Sequence, residues 1–350
     1  MNISEKLSVV FCKKLFSLFL MLVGVVLLFG IWSSAIGTTF LSTEVLLSIG
    51  SSMTATSFLA IGAGMLLVAG HMDFSVASIG ALSCVTMAAC IKYLSMPTGL
   101  AIIIALIAGA LCGLLNGVLV NEFNFDSFIA TLASSFVIKG IMQVVSLDPS
   151  KGAAIPQTIN VSNSVTNFIG TYEVGGVLPI GLLAALLAFV IYGIILSRSK
   201  FGKEMYMVGG NPQAAELTGI RSARVVYILF ANSGFLAAMA GVIYMCRSGL
   251  GDLTALQTNQ YTGLTAAILG GIAFGGGRGN MLGVFMGILI LSTFNIGTVT
   301  VRFSNHLSTI LSGVLLLTAL LLDTMSERKR RKNINRFARG VKKTSQEEPV

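Results

Sequence analysis

Three ionisable side chains stand out because they interrupt or enter long apolar runs of this sequence. Asp73 lies between two such runs, Asp126 directly precedes a third run, and Lys139 lies inside that third run. Ionisable groups at membrane depth are costly and usually mark a path for ions or solutes. We therefore predict a translocation path lined by Asp73, Ser75, Asp126 and Thr131.

The same acidic residues are also suited to a purely structural role. Asp73 and Ser75 precede an apolar run, and Asp126 or Ser127 stands in the same position before the next one. An acidic or hydroxyl side chain there caps a helix and interacts favourably with its dipole. The two roles are compatible, and both stay open. Lys139 either faces the interior of a helix bundle or reaches outward along its aliphatic stem.

The sequence contains no motif of a known enzyme class. It lacks the GxxxxGK[ST] phosphate loop, the HExxH zinc motif and the GxSxG nucleophile turn. Five cysteines without a CxxC pair, and two histidines far apart, predict neither a disulfide framework nor a metal site. We expect no cofactor on this chain. If ATP drives the protein, a partner chain must bind the ATP and Mg²⁺ and hydrolyse the nucleotide.

Composition predicts an all-α, polytopic integral membrane protein. Hydrophobic residues make up 54% and charged residues 11%, with a mean hydropathy of +0.86, whereas soluble domains are about 25% charged. The first apolar run exceeds the roughly 7–15 residues of a signal-peptide core. About ten spans of the length that crosses a bilayer are predicted, at 15–36, 45–69, 75–94, 97–120, 127–147, 177–197, 225–247, 257–275, 281–300 and 306–323.

The distribution of basic residues predicts the orientation. With ten spans and both termini in the cytosol, 18 basic residues fall inside and 4 outside, as the positive-inside rule requires. The net charge of +9 is therefore attributed to topology and anionic membrane lipid, and not to nucleic acid. The predicted regions are a cytosolic N-terminus (1–14), a transmembrane domain (15–325) with an external loop (148–176) and a cytosolic loop (198–224), and a basic cytosolic tail (326–350).

The cytosolic loop contains signals for one short, rigid helix. Asn211 suits the N-cap, Pro212 suits the first helical position, and Gly219 suits a left-handed turn at the end. A helix this well delimited on the surface of a membrane protein favours contact with a partner. The alternative is a helix that lies on the lipid surface, although its Ala-Ala-Glu sequence is a poor membrane anchor.

Four segments resemble the membrane subunits of bacterial ABC importers of the ribose type, which are related more distantly to branched-chain amino-acid permeases. The resemblance covers about residues 45–325. The third segment is the most specific. The segments are Gly70–Val76, Phe128–Leu132, Phe201–Lys203 with Gly209–Asn211 and Ala214–Ile220, and Ala266–Gly271 running into Gly275–Gly276.

The resemblance implies a fold, a set of partners and a role for the cytosolic helix. The fold would be that of an ABC importer permease. The partners would be an ABC ATPase, a second permease copy or a homologous permease, and an extracytoplasmic solute-binding protein. The cytosolic helix would be the coupling helix that docks on the ATPase. The implied coupling residues are Gly209, Gly210, Asn211, Ala214, Ala215, Glu216, Gly219 and Ile220, and the small-residue contact face would comprise Ala214, Ala215, Leu217 and Ile220.

The resemblance implies that the protein is the permease subunit of an ATP-driven importer in the bacterial inner membrane. The solute would be a monosaccharide of the ribose, galactose, arabinose or xylose type. A nucleoside or a sugar-like signal molecule is the alternative solute. Two other classes remain as rivals. A transporter driven by an ion gradient calls for more paired intramembrane charges, and a membrane-embedded enzyme calls for a cluster of histidines, cysteines or acids.

Overall fold

Long apolar helices form most of the structure. The computed structural model describes residues 3–149, 155–174 and 178–304, together with parts of 306–321. The helices are α1 (Ile3–Ala35), α2 (Thr43–Val68), α3 (Val76–Lys92), α4 (Thr98–Asn121), α5 (Ser127–Val145), α6 (Ser164–Thr171), α7 (Ile180–Arg198), α8 (Lys200–Gly210), α9 (Pro212–Leu217), α10 (Ser222–Ser248), α11 (Gln260–Leu269) and α12 (Met281–Thr300). Strand β1 (Ile159–Asn160) pairs antiparallel with β4 (Leu250–Gly251), and β2 (Glu173–Val174) pairs antiparallel with β3 (Leu178–Pro179).

The prediction of an all-α, multi-pass membrane protein is confirmed. Within the described chain, seven helices are long and apolar enough to cross a membrane. They are α1 from Lys14 onward, α2, α4, α5, α7, α10 and α12. Helix α3 is apolar but shorter, at 17 residues. The count of about ten spans stays a prediction, because the last span falls on a part that is only partly described, and the basic tail (326–350) lies outside the described residues.

One predicted span, 257–275, is wrong as a continuous membrane helix. The chain forms a 3₁₀ turn (Gln257–Asn259) followed by α11, which has ten residues. Ten residues rise only about 15 Å, half of a bilayer's hydrocarbon core. Polar residues begin this region, and Gly271, with a φ of +97°, ends it in the left-handed conformation that favours glycine.

Local sequence signals set where several helices begin. The Ser42 hydroxyl accepts the Val45 amide at the start of α2, at 3.3 Å, and the Asn280 side chain accepts the Gly283 amide at the start of α12, at 2.6 Å. Pro97 directly precedes α4. Such caps satisfy backbone donors that have no partner inside the helix. The helix starts are thus encoded locally, whereas the packing between helices is not.

Helix α10 lies at the centre of the bundle, where α2, α3 and α4 pack against it. Glycines permit this close approach. A Cβ atom on Gly234 would lie 2.2 Å from the Gly109 oxygen of α4, and one on Gly241 would lie 2.0 Å from the Gly80 oxygen of α3. Membrane helices associate through such small-residue contacts because lipid provides no hydrophobic driving force between them. Helix α1, by contrast, packs on α12 and exposes a row of large apolar side chains, as a lipid-facing helix would.

The helix ends sort into two opposite faces. On one face the Gly277 amide donates to the Val68 oxygen at 2.7 Å, and the Asn121 side chain donates to the Ala223 oxygen at 2.8 Å. On the other face β1 pairs with β4, and the Asn163 side chain donates to the Thr98 hydroxyl at 3.0 Å. These contacts join the loops that the predicted topology assigns to the same side. The predicted cytosolic loop (198–224) lies on the first face, which we call the α9 face.

Candidate functional site

Helices α2 and α3 are separated by a non-helical segment, residues 69–75, which we call the first break. Gly70 turns the chain with a φ of +84°, a conformation that favours glycine. The segment then folds back into the bundle and reaches α3 at Val76. The Asp73 side chain is buried, and its Oδ2 accepts a hydrogen bond from the Ser233 hydroxyl of α10 at 2.9 Å.

The position of Ser233 places Asp73, within the first break, at membrane depth. Ser233 lies eleven residues after Ser222 and fifteen before Ser248, the two ends of α10. At 1.5 Å per residue, these separations are about 16 and 22 Å along the helix axis. Backbone polar groups that deep in a membrane must find partners inside the protein.

Three side chains from other helices supply those partners. The Ser127 hydroxyl accepts the Met72 amide at 3.2 Å, and the Thr131 hydroxyl accepts the Phe74 amide at 3.0 Å. The Gln260 side chain donates to the Phe74 oxygen at 2.9 Å. Two residues in the first five of α5 thus bind amides of the first break, and the first residue of α11 binds one of its carbonyl oxygens.

A buried polar network surrounds Asp73. Its Oδ1 accepts the Ser75 amide at 2.8 Å and the Ser75 hydroxyl at 2.6 Å. The Ser75 hydroxyl in turn accepts the side-chain amide of Asn116 on α4, at 2.8 Å. Among the described residues, the Asp73 carboxylate therefore contacts hydroxyl and amide donors and no basic side chain. The network connects α4 and α10 to the loop that starts α3.

The residues predicted to line a path are thereby located, although the path itself stays a prediction. Asp73, Ser75 and Thr131 are buried. Asp73 is hydrogen-bonded to Ser75, and Thr131 is hydrogen-bonded to the Phe74 amide between them. The structural role proposed for Asp73 takes a different form from an N-cap, because its carboxylate binds Ser75, the residue before α3, rather than an amide of the first turn. Asp126 is the N-cap of α5 and accepts the Phe128 amide at 2.9 Å.

Lys139 lies in the second half of α5, half-buried, with its ammonium 5.7 Å from the centroid of the Phe136 ring. A cation near an aromatic face is stabilised by the ring's charge distribution. Lys139 lies twelve residues after Ser127 and six before Val145, so its nearer helix end is the one opposite the α9 face. This position fits the reading in which the side chain extends toward the membrane surface.

The predicted cytosolic helix is present as α9. The Asn211 side chain accepts the Ala214 amide at 3.0 Å, Pro212 is the first helical residue, and Gly219 adopts a φ of +84°. These are the cap, start and end that the sequence predicts. Sequence reasoning missed α8, the helix immediately before α9, which begins at a Ser199 N-cap.

The outward face of α9 differs from the expected one. Ala215 is only 1% exposed and packs into the protein, which corrects the expectation that it belongs to the contact face. Ile220 is half-buried against the core. Leu217 is 90% exposed, an unusual state for a large apolar side chain, and Ala214 and Glu216 are exposed beside it. Leu217 is therefore the apolar side chain that α9 presents outward.

A glycine junction joins α8 and α9 to the first break. A Cβ on Gly209 would lie 1.9 Å from the Val68 oxygen, and one on Gly277 would lie 2.8 Å from the Gly210 Cα. Three chain segments therefore meet here with backbone against backbone: the end of α2, the end of α8, and the α11–α12 loop. Gly209 is consequently an internal packing residue, whereas Gly210 and Asn211 are exposed.

A tyrosine fixes the same junction. The Tyr206 hydroxyl of α8 donates to the Gly279 oxygen at 2.6 Å. A tyrosine hydroxyl is protonated at neutral pH and so can donate this bond, and burial raises the pKa of Tyr206 further. The contact ties α8 to the α11–α12 loop.

No group of three or more His, Cys, Asp and Glu side chains suited to a metal ion occurs in the part of the chain that the structure describes. Four cysteines are free thiols there, three of them buried. The candidate site is therefore the first break with the neutral polar groups and the one carboxylate that surround it. The glycine junction connects it to α9, which is exposed.

Comparison with known proteins identifies the kind of molecule. Residues 45–320 match the family described as the branched-chain amino acid transport system / permease component. The chain belongs to this permease family. The match covers the first break, the glycine junction and α9.

Individual relatives extend over most of the permease. This chain is 31% identical over 291 residues to the ribose import permease protein of Bacillus subtilis (strain 168), and the alignment covers 83% of this chain and 88% of that protein. It is 33% identical over 266 residues to the fructose import permease protein of Rhizobium meliloti, covering 74% and 71%. It is 26% identical to the ribose import permease protein of Escherichia coli (strain K12), covering 84% and 90%. No solved structure matches the chain significantly.

The family membership confirms three expectations. The permease is a transport subunit rather than an enzyme, it is a multi-pass membrane protein, and it resembles sugar import permeases. As an import permease component it works as one part of a larger ABC transport system.

The Asp73 network predicts how two substitutions differ. Asp73→Asn keeps an acceptor for both Ser75 donors, and its amide can donate to the Ser233 hydroxyl, so the melting temperature in detergent should stay near that of the original protein. Asp73→Ala leaves three buried donors without an acceptor, each at a cost of about 1–3 kcal/mol, and should lower the melting temperature strongly.

Asp126→Ala is the matched control, since it removes a cap at an exposed site, worth about 1 kcal/mol. An Asp73→Asn protein as unstable as Asp73→Ala would show that the negative charge itself, and not the hydrogen bonding, holds the first break.

Proposed function

We propose that the permease is the membrane subunit of an ATP-driven importer of monosaccharides. The observation that carries the proposal is the similarity, over most of both chains, to proteins named as ribose and fructose import permeases. Fructose and ribose share a compact, uncharged, polyhydroxylated form. Such a solute needs no paired intramembrane charges, and in the described chain the buried Asp73 carboxylate is bonded only to hydroxyl and amide donors.

The transport path would pass beside the first break, where the chain leaves α2 and enters α3. In membrane transporters, interrupted helices at mid-membrane commonly form solute sites, because their irregular backbone has to line a cavity or be buried in protein. Two permease copies, or this chain and a homologous permease, would pair around that path. Asp73, Ser75 and Thr131 would then act by holding the first break in place, behind the surface that meets the solute.

ATP would be used by a separate ATPase chain that docks on the α9 face. The Leu217 side chain, 90% exposed at the end of a rigid six-residue helix, suits insertion into a groove of a partner protein, because burying a leucine is strongly favourable. The glycine junction would pass the movement of α8 and α9 to α2 and to the first break. ATP and Mg²⁺ would bind only to the partner.

A solute-binding protein would dock on the opposite face, and the permease would reside in a bacterial inner membrane. Orientation follows from charge. The α9 face carries Arg198, Lys200, Lys203, Arg221, Arg224 and Arg278, whereas the opposite face carries Lys92, Arg247 and Arg302. The α9 face would therefore be cytosolic, with both termini on that side and anionic lipid around it.

Uptake measurements on the reconstituted transporter test this function. The permease is combined in vesicles with the ATPase and solute-binding protein encoded beside it, and radiolabelled ribose, fructose, galactose, arabinose, xylose and a nucleoside are offered. We expect ATP-dependent, vanadate-sensitive uptake of one or more of the monosaccharides. Uptake by the permease alone under an ion gradient, unaffected by vanadate, would contradict the proposal. Uptake confined to the nucleoside would correct the solute class.

A substitution at Leu217 tests the docking of α9. Leu217→Ala preserves helix propensity but removes the exposed apolar anchor, so the affinity for the ATPase should fall about tenfold, as expected for the lost burial of one leucine. Affinity is measured by titrating the ATPase against the purified permease in nanodiscs. Leu94→Ala, at a side chain 61% exposed between α3 and α4 on the opposite face, is the control and should leave affinity unchanged. Equal affinities for both variants would exclude α9 as the docking element.

A further inference from the structure

The chain is interrupted a second time, between α10 and α11. Residues 249–259, which we call the second break, contain β4 and the 3₁₀ turn. The Asn259 side chain donates to the Thr56 hydroxyl of α2 at 2.9 Å. Thr56 lies thirteen residues after Thr43 and twelve before Val68, about 20 and 18 Å from the two ends of α2. The second break therefore descends from one face to the middle of the membrane before α11 begins.

The two breaks meet at that depth. The Gln260 side chain, at the first position of α11, donates to the Phe74 oxygen of the first break at 2.9 Å. Leu256, just before the 3₁₀ turn, is held at a φ of +61°. A leucine in this left-handed conformation is strained, and such strain persists only where the surroundings impose it, often at functional sites.

The exposed part of the second break cannot face lipid. Gln257 and Thr258 are exposed, in a single 3₁₀ turn at mid-membrane. Irregular backbone at this depth is tolerated only where it is buried in protein or lines a water-filled cavity. Nothing within the described chain covers these two side chains, so in the membrane they meet either a water-filled cavity or a partner protein.

Three aromatic rings lie together on that surface. They are Phe74 of the first break, Phe128 of α5 and Tyr261 of α11, and we call them the aromatic patch. The Phe74 ring centroid is 5.0 Å from that of Phe128, edge to face, and 6.2 Å from that of Tyr261. Phe128 is 42% exposed and Tyr261 is 53% exposed. The patch thus joins both breaks and the start of α5 into one partly exposed surface.

We infer that the aromatic patch is the surface on which a monosaccharide is held as it crosses the membrane. The inference rests on the proposed function and identifies its solute contact. A sugar ring has apolar C–H faces that pack on aromatic rings, and a rim of hydroxyls that needs hydrogen-bonding groups. Small-molecule sites combine aromatic walls with a few polar groups in this way. Here the rings supply the wall, and Gln257 and Thr258 supply polar groups beside it.

The Asp73 network explains why the patch has a defined shape. Phe74 lies between Asp73 and Ser75, and its own amide and oxygen are bonded to Thr131 and Gln260. Both neighbours are fixed by buried hydrogen bonds to α10 and α4. The buried polar residues therefore position the ring, and the ring contacts the solute.

Thiol labelling tests whether the patch faces water. The complete transporter is placed in lipid nanodiscs, where both faces are accessible, and Tyr261→Cys is treated with a charged, water-soluble methanethiosulfonate. Leu27→Cys on α1, 57% exposed in the middle of a lipid-facing helix, is the matched control. Since only the thiolate reacts and a thiol in lipid does not ionise, Tyr261→Cys should react about tenfold faster or more. Labelling of the unsubstituted protein, whose described cysteines are mostly buried, is subtracted.

Uptake measurements test whether the patch contacts the solute. Tyr261→Ala and Phe128→Ala should each lower the initial rate of monosaccharide uptake about fivefold, the size expected for one lost aromatic contact. Tyr261→Phe keeps the ring and should retain a near-normal rate. Phe19→Ala on α1, also at an aromatic residue 53% exposed, should retain the full rate.

Two results would overturn the inference. One is labelling of Tyr261→Cys as slow as that of Leu27→Cys, which would place the patch in lipid. The other is uptake by Tyr261→Ala and Phe128→Ala equal to that of Phe19→Ala, while the unsubstituted transporter imports a monosaccharide. Failure of the unsubstituted transporter to import any monosaccharide would instead contradict the proposed function, and labelling would then still decide whether the patch faces water.

Discussion

The structure depends on one constraint: backbone groups that leave a helix inside a membrane must be hydrogen-bonded within the protein. The first break meets it with side chains from several helices. Ser127 and Thr131 of α5 accept amides of the break, and Gln260 of α11 donates to an oxygen. Asp73 adds a bond to α10. Because these helices hold the break at a fixed depth, it can interrupt the membrane domain without unfolding it.

Backbone contacts at the end of α2 also connect the α9 face to the interior of the membrane domain. Gly277, in the α11–α12 loop, donates its amide to the Val68 oxygen, the last residue of α2 before the first break. Gly209, at the end of α8, packs its backbone against that same oxygen. A displacement of α8 and α9 must therefore move the end of α2 or open a gap in close backbone packing. The route from the exposed helix to the membrane interior is thus only a few residues long.

Local signals in the sequence were sufficient for some of these features. Asn211, Pro212 and Gly219 delimit α9 because caps and left-handed glycines act within a few residues of themselves. The pairing of loops on two faces followed from the length of the apolar runs and the placement of basic residues. The span predicted at 257–275 was wrong as one continuous helix, because polar residues, Gln257–Gln260, begin it.

Features that depend on distant partners could not be predicted in this way. Ser233 lies 160 residues from Asp73 along the chain, and Gln260 lies 186 residues from Phe74. No periodicity or cap signal links such pairs. The direction in which Ala215 points was also unpredictable, because a six-residue helix is too short to reveal a buried side by its pattern. Leu217 is exposed, as its place on the predicted contact face requires, because α9 packs on the protein through Ala215 and the chain just after α9 packs through Ile220.

The central claim is that the two interrupted helices, held by buried hydrogen bonds, form the place where the solute crosses. The most direct measurement is a cryo-electron microscopy structure of the complete transporter, trapped with vanadate while the solute-binding protein delivers its monosaccharide. Density for the sugar in contact with Phe74 and Tyr261, between the two breaks, is the result expected. Sugar density elsewhere in the membrane domain, with both breaks packed against protein or lipid, would contradict the claim.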